Sequence, residues 1–301
     1  MPLLAGCALL LSACAGCGGG GIDGARAFAH AKALVDLGPR PPGSPALEKA
    51  RGYLLGELAK AGVAAEPDPF EAETPKGKIA MANLLATIPG DSPRSILLAG
   101  HFDTKLFEGF RFVGANDGGS SAGLLLELAR VLVARGKPRA TIRFAFFDGE
   151  EAIRDWTSTD SLYGSRHLAD RWKKEGTLPN VRAMVLFDLV GDRDLTIFRE
   201  ARATGWLVGL IGQAAADLGH GGKFFRRTLP LEDDHAPFLE AGVPAAIDLI
   251  DYAYGPPEGN GAGAWWHTAE DTLDKISAES LQIVGDVLLR ALPRIEERVL
   301  Q

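Results

Sequence analysis

The stretch Phe146-Phe147-Asp148-Gly149-Glu150-Glu151 sets two glutamates side by side straight after an apolar run. Like charges held together cost free energy unless a cation or a shared proton relieves them. Either the pair is a solvated turn, or its two carboxylates do different work. Comparable groups follow other apolar runs. His101-Phe102-Asp103 comes after "SILLAG", Asp117 sits in "GANDGGSSAG", Asp188 closes "AMVLFD", and His267 stands in "WWHT". Each has an ordinary explanation by itself: a satisfied core histidine, a helix-capping aspartate, a carboxylate in a turn. Gathered at one end of a single fold, they would repel one another without a cation. Zinc fits that need, because it takes histidine nitrogen and carboxylate oxygen, about four ligands in all, with one position open when the ion is catalytic. His30, His167 and His220 hold no such positions; they read as surface residues, with His167 either on a helix surface or behind the site.

The elements that would place these groups are legible from periodicity. Residues 24–58 are helical apart from the break "GPRPPGSP". Residues 79–88, 95–100, 141–147, 182–189, 195–198 and 245–250 read as strands. Residues 121–134, 162–172, 206–218, 233–241 and 277–299 read as helices, and 252–264 as a Gly/Pro-rich loop. Alternating strands and helices predict an α/β three-layer sandwich around a central, mixed but largely parallel, twisted sheet. In such folds ligands sit beyond the carboxyl ends of the strands, which is where most of the candidate residues fall.

Bulk composition narrows the class further. The chain has 301 residues, 46% hydrophobic and 24% charged, enough for one large core in a single domain over 23–301. The net charge of −7 and the lack of a basic run speak against a nucleic-acid partner. Residues 1–22 differ: an apolar, small-residue stretch followed by glycines reads as a secretory signal segment. Leu11-Ser12-Ala13-Cys14 resembles a bacterial lipobox, which implies a lipid anchor at Cys14, a flexible tether after it and a place in the cell envelope, with plain secretion as the alternative. All three cysteines (Cys7, Cys14, Cys17) lie in this segment, so a metal in the body must use His, Asp and Glu.

The set "HFD", "NDGGSSAG", "DGEE", "LFDLVG" and "WHT" resembles the zinc aminopeptidase family with two co-catalytic metals. By that resemblance His101, Asp117, Glu151, Asp188 and His267 are metal ligands with Asp117 bridging, Asp103 orients His101, and Glu150 is the general base. Three further stretches, "EEAIRDWTSTDSLYGSRHLA", "EDDHAPFLEAGVP" and "WWHT", are similar to the glutaminyl-peptide cyclotransferases of animals and their bacterial relatives. This branch implies one zinc held by Asp117, Glu151 and His267. Asp188 then joins Asp233 in a hydrogen-bonded acid network, and Trp156 and Trp266 line the substrate pocket. Where the animal enzymes carry a histidine ahead of the terminal metal histidine, this chain has Asp248 on its last strand.

The resemblance implies conversion of an N-terminal glutamine of a peptide to pyroglutamate with loss of ammonia, a zinc-dependent acyl transfer. The alternative is a metallo-aminopeptidase with two metals, for which His101 and Asp188 are the second-metal candidates. The same ligand set permits both. Substrates would be peptide and protein N-termini, and the chain is expected to be a monomer.

Overall fold

A computed structural model describes residues 20–257 and 261–301; most of the expected leader and lipobox, with all three cysteines, lies outside the described residues. The helices are α1 (Gly24–Asp36), α2 (Pro45–Lys60), α3 (Gly119–Ala134), α4 (Tyr163–Glu175), α5 (Gly205–Asp217), α6 (His235–Ala241) and α7 (Ala278–Leu300). The strands are β1 (Ala65–Thr74), β2 (Gly77–Ile88), β3 (Ser92–His101), β4 (Ala140–Phe147), β5 (Val181–Asp188), β6 (Ile197–Glu200), β7 (Phe224–Leu229) and β8 (Ala246–Ile250). They form one 8-stranded sheet in the order β1-β2-β4-β3-β5-β8-β6-β7. The central strands β4, β3, β5 and β8 run parallel; β1, β2 and the β6–β8 pairing are antiparallel. The sheet is thus mixed and largely parallel, as the sequence predicts.

Side chains alternate across the strands, and both faces are apolar. Ile96, Leu98, Phe144, Phe146, Val185 and Phe187 pack toward α1, α3, α5 and α7. Leu97, Ala99, Ala145, Phe147, Met184 and Leu186 pack toward α4 and α6. Burial on both sides explains why "SILLAG" and "TIRFAFF" are continuous apolar runs. Helix starts are set locally: Asp23 accepts from Arg26 N (3.0 Å), Ser44 from Leu47 N (3.1 Å) and Ser277 from Ser280 N (3.1 Å).

Two strands escape the sequence reading. β1, "AEPDPFEAET", lies at the sheet edge with five of its ten residues exposed and only two buried. Its two prolines and its charges suit an edge, where missing ladder donors and like strands are both managed. β7 lies at the opposite edge and carries two arginines.

The connection β3–α3–β4 covers one face and β4–α4–β5 the other, so the chain reverses direction across β3. A crevice opens beyond strand carboxyl ends at such a switch point, and His101 is the last residue of β3. Loops there are held by a fully buried arginine. Arg40 donates to the carbonyls of Phe102 (3.2 Å), Leu34 (3.1 Å), Gly38 (3.2 Å), Val113 (2.8 Å) and Gly114 (3.1 Å). Burial lowers its pKa to about 10, with Asp103, Asp271 and Asp117 opposing the fall, so it stays cationic beside an acid-rich site. A lysine has three donors on a point charge and cannot span these carbonyls. Each carbonyl left unpaired costs about 1–3 kcal/mol. Arg40→Lys is therefore expected to lower the melting temperature by roughly 5 °C or more. Thermal unfolding checks this, and a melting temperature equal to that of the parent would contradict it.

Candidate active site

Each candidate residue arrives on a separate element. His101 ends β3. Asp117 lies in the turn that opens α3. Glu150 and Glu151 follow β4, Asp188 ends β5, and His267 lies in the segment between β8 and α7. Asp117 does not cap α3: Gly118 occupies the cap position with φ 76° and makes no side-chain capping bond. A Cβ on Gly118 would stand 2.4 Å from the Asp103 carbonyl oxygen, so only glycine lets the two loops approach this closely. Gly149 serves the same end in "DGEE", with φ 73° and Met81 Sδ 2.6 Å from where a Cβ would be.

Two groups of ligand atoms converge. Asp117, Glu151 and His267 place donor atoms within 4.8 Å of one another; His101, Asp117 and Asp188 do likewise, sharing Asp117. His267 Nε2 is 3.3 Å from Asp117 Oδ2 and 3.1 Å from Glu151 Oε1. These separations fit a tetrahedral ion, since bonds of about 2.1 Å give edges of roughly 3.4 Å. Asp117 Oδ2 is buried and makes no hydrogen bond of good geometry, as suits an atom reserved for a cation. In the second group His101 Nε2 lies 3.2 Å from Asp117 Oδ1 and 3.3 Å from Asp188 Oδ1.

Backbone strain gathers here as well. His267 (φ 55°), Leu189 beside Asp188 (φ 50°) and Leu162 (φ 53°), whose N–H bonds Glu150 O at 2.8 Å, all occupy the left-handed region. Such conformations cost of order 1–3 kcal/mol each and persist where surrounding structure imposes them.

Asp103 does work beyond that expected. Its carboxylate accepts from the amides of Glu150 (3.2 Å) and Glu151 (3.3 Å). His101 Nδ1 also lies 3.4 Å from the same carboxylate. Asp103 thus fixes the paired glutamates, and Lys105 N adds a bond to Glu151 Oε1 at 3.2 Å. Asp271, which the sequence reading passed over, accepts from Asn116 N (2.8 Å), Asp117 N (3.1 Å) and the Tyr254 hydroxyl (2.7 Å). It ties the Asp117 turn to the segment that carries His267. Its only sequence signal is its place four residues beyond His267 in "HTAED".

The electrostatics separate the two glutamates of the opening stretch. Burial pushes the Glu150 carboxyl well above its ordinary value; His101 opposes this, and Glu151, Asp233 and Asp234 add to the rise. Asp188 is pushed up to about 7, again by burial, against its contact with His101 and with help from Asp233 and Asp117. Asp248 is raised well above the carboxylate range by burial and by Asp233 and Asp188. Asp188 and Asp248 are thus raised carboxyls close to Asp233, and Asp234, unnoticed in the sequence, acts on Glu150.

A cavity of about 370 Å³ opens onto these residues, lined among others by Glu150, Asp188, Asp233, Trp156, Tyr252 and Trp266. Trp266 stacks on His267, with ring centroids 4.0 Å apart and planes 15° apart. Trp156 stands at the mouth, 43% exposed. A larger groove of about 710 Å³ runs along β1 and α4 and includes His167; neither ligand group lies in it. His167 stacks on Phe70 (4.3 Å) and meets Asp68 (3.2 Å), while His30 bonds Tyr53 (2.7 Å), so both have packing roles.

Fold and site together define an α/β enzyme of the zinc exopeptidase type, with a preformed candidate metal site. Residues 83–292 match Peptidase family M28, and the chain belongs to that family and, through its relatives, to the glutaminyl-peptide cyclotransferases within it. It is 30% identical over 288 residues to the glutaminyl-peptide cyclotransferase of Drosophila melanogaster, covering 85% of this chain and 78% of the fly protein. The crystal structure of an Acidobacteriales bacterium glutaminyl cyclase matches 93% of this chain and 97% of its own at 41% identity and a TM-score of 0.88. A Zn-dependent exopeptidase from Parabacteroides distasonis matches 89% of this chain and 97% of its own at 28% identity and a TM-score of 0.78.

Proposed function

We propose that this site cyclises the N-terminal glutamine of peptides to pyroglutamate and releases ammonia, with one zinc held by Asp117, Glu151 and His267. The observation that carries the reading is the tryptophan-walled pocket: Trp156 and Trp266 both border the cavity onto which those three ligands and Glu150 open. When bound, zinc supplies Lewis-acid polarisation of the side-chain amide oxygen of the substrate.

The chain's own residues do the rest. The free α-amine must attack the side-chain amide carbon of the same residue. Glu150 takes the proton that the attacking nitrogen sheds and returns it to the departing nitrogen as the old C–N bond breaks. A carboxyl raised by burial suits this two-way transfer better than one of ordinary acidity. Asp188, also raised, holds the leaving nitrogen with Asp233 and Asp248 behind it. Trp156 and Trp266 hold the glutamine side chain and keep bulk water from competing with the internal amine.

The tested consequence is substrate choice. Offered a Leu-initiated chromogenic substrate, the purified mature chain should release no product, and zinc should titrate to about one per chain. Release of leucine that grows with a second equivalent of metal would favour the aminopeptidase alternative, with His101 and Asp188 taking that ion.

Residues 23–301 are proposed as one catalytic domain, acting as a monomer. Cys14 is proposed as a lipid attachment point in a bacterial envelope. Among the described residues no helix is long and apolar enough to cross a membrane.

A further inference from the structure

One buried carboxylate outside the site is tied to a loop that the reaction uses. Asp160 is 4% exposed. Its Oδ1 accepts from Ile153 N (2.8 Å) and the Tyr163 hydroxyl (2.7 Å). Its Oδ2 accepts from Arg154 N (2.9 Å) and Asp155 N (3.0 Å). Three successive amides therefore point at one carboxylate, immediately before Trp156. Immediately after Trp156, Thr157 Oγ1 accepts from Asp160 N at 3.0 Å. The backbone is gripped on both sides of the tryptophan by the same residue. Tyr163 anchors the base through a small apolar cluster with Met81, Ile153 and Ala72. An indole that is 43% exposed has too little packing of its own to fix its position, so its placement must come through the backbone.

We propose that Asp160 is the latch of the 153–160 loop and a positioning residue for substrate capture, acting through Trp156. The proposal rests on the reading of Trp156 as a pocket wall. Asparagine at this position would offer one acceptor oxygen and turn an amide group toward N–H donors, so the grip cannot be rebuilt. The chemistry at Glu150 and the metal ligands lies on the other side of the turn, held by Asp103 rather than by Asp160.

The test uses the full mature chain with two readouts. The first is trypsin cleavage after the exposed Arg154, which reports local opening. The second is the split between KM and kcat for a Gln-initiated peptide. Asp160→Asn is expected to speed cleavage at Arg154 and raise KM by roughly tenfold or more, from loss of several charge-assisted bonds, with kcat within about twofold. Trp156→Ala should raise KM similarly, and the double variant should be no worse than Trp156→Ala alone, because the two act as one unit. Should Asp160→Asn not fold, Tyr163→Phe removes a single bond and should move both readouts by about two- to fivefold. Unchanged cleavage in the folded variant overturns the latch. A KM raised by Trp156→Ala but not by Asp160→Asn, or effects that multiply in the double variant, overturns positioning through Trp156. If Trp156→Ala itself leaves KM unchanged, the pocket-wall reading fails and the substrate role of Asp160 fails with it, whereas the cleavage assay still reads the latch by itself.

Discussion

Glu150→Gln should leave zinc content and fold intact and lower turnover of a Gln-initiated peptide by about 10²–10⁴, the usual worth of a positioned acid–base group. The substitution preserves shape and removes only the ability to exchange a proton. The backbone of Glu150 stays fixed, because Asp103 grips its amide rather than its side chain. The field around the carboxyl explains why no neighbour replaces it. Asp233 and Asp234 add to the rise at Glu150, and Asp234 and Asp188 are themselves raised by burial, so neither of those two is a ready proton acceptor in its place. Replacing a buried carboxyl that is already raised should cost little stability, so the loss is expected in kcat with KM nearly constant. Turnover that survives in Glu150→Gln, with zinc present, would remove Glu150 from the proton path.

Asp117→Ala is expected to abolish activity by emptying the site. Asp117 is the residue shared by both ligand groups, and its loss removes an anionic ligand rather than a partner outside the ligand set. Even loss of such an outer partner typically costs about 10–100-fold in metal affinity, so Asp117→Ala should exceed that range. Metal analysis after gel filtration measures it, with circular dichroism to establish the fold. The companion variant His101→Ala separates the two ligand groups. It should retain about one zinc per chain if the Asp117–Glu151–His267 group is the resident site. A fall from two ions to one would place an ion between His101 and Asp188 as well. Full metal retention in Asp117→Ala would contradict the proposed ligand set outright.

The parts of this molecule that were readable from sequence are those where burial leaves a pattern. β3 and β4 are covered by helices on both faces and so appear as unbroken apolar runs. Because ligands gather at strand carboxyl ends, the residues after those runs stand out as one set. β1 was unreadable because an edge strand has little core to face, and its prolines look like a loop. β7, with two arginines in a short run, was lost for the same reason. In and beside the site, Asp103, Asp271 and Asp160 show the limit of residue-type reasoning. Each is a buried carboxylate whose partners are backbone amides. Such a residue has no spacing rule, since any loop amide can serve as donor, and in a sequence it looks like a polar turn. The paired glutamates stand out in the sequence as a candidate division of labour; that Asp103 holds them together by their amides has no sequence signal.

On the proposed function, the protons handled by Glu150 come from the α-amine of an N-terminal glutamine and not from water. Mass spectrometry of the products from one Gln-initiated peptide, alongside an ammonia assay, tests it most directly. The expected product is a peptide of unchanged residue count with a blocked N-terminus, with one ammonia released per peptide converted. A peptide shortened by one residue, with free glutamine in solution and no blocked product, would contradict it.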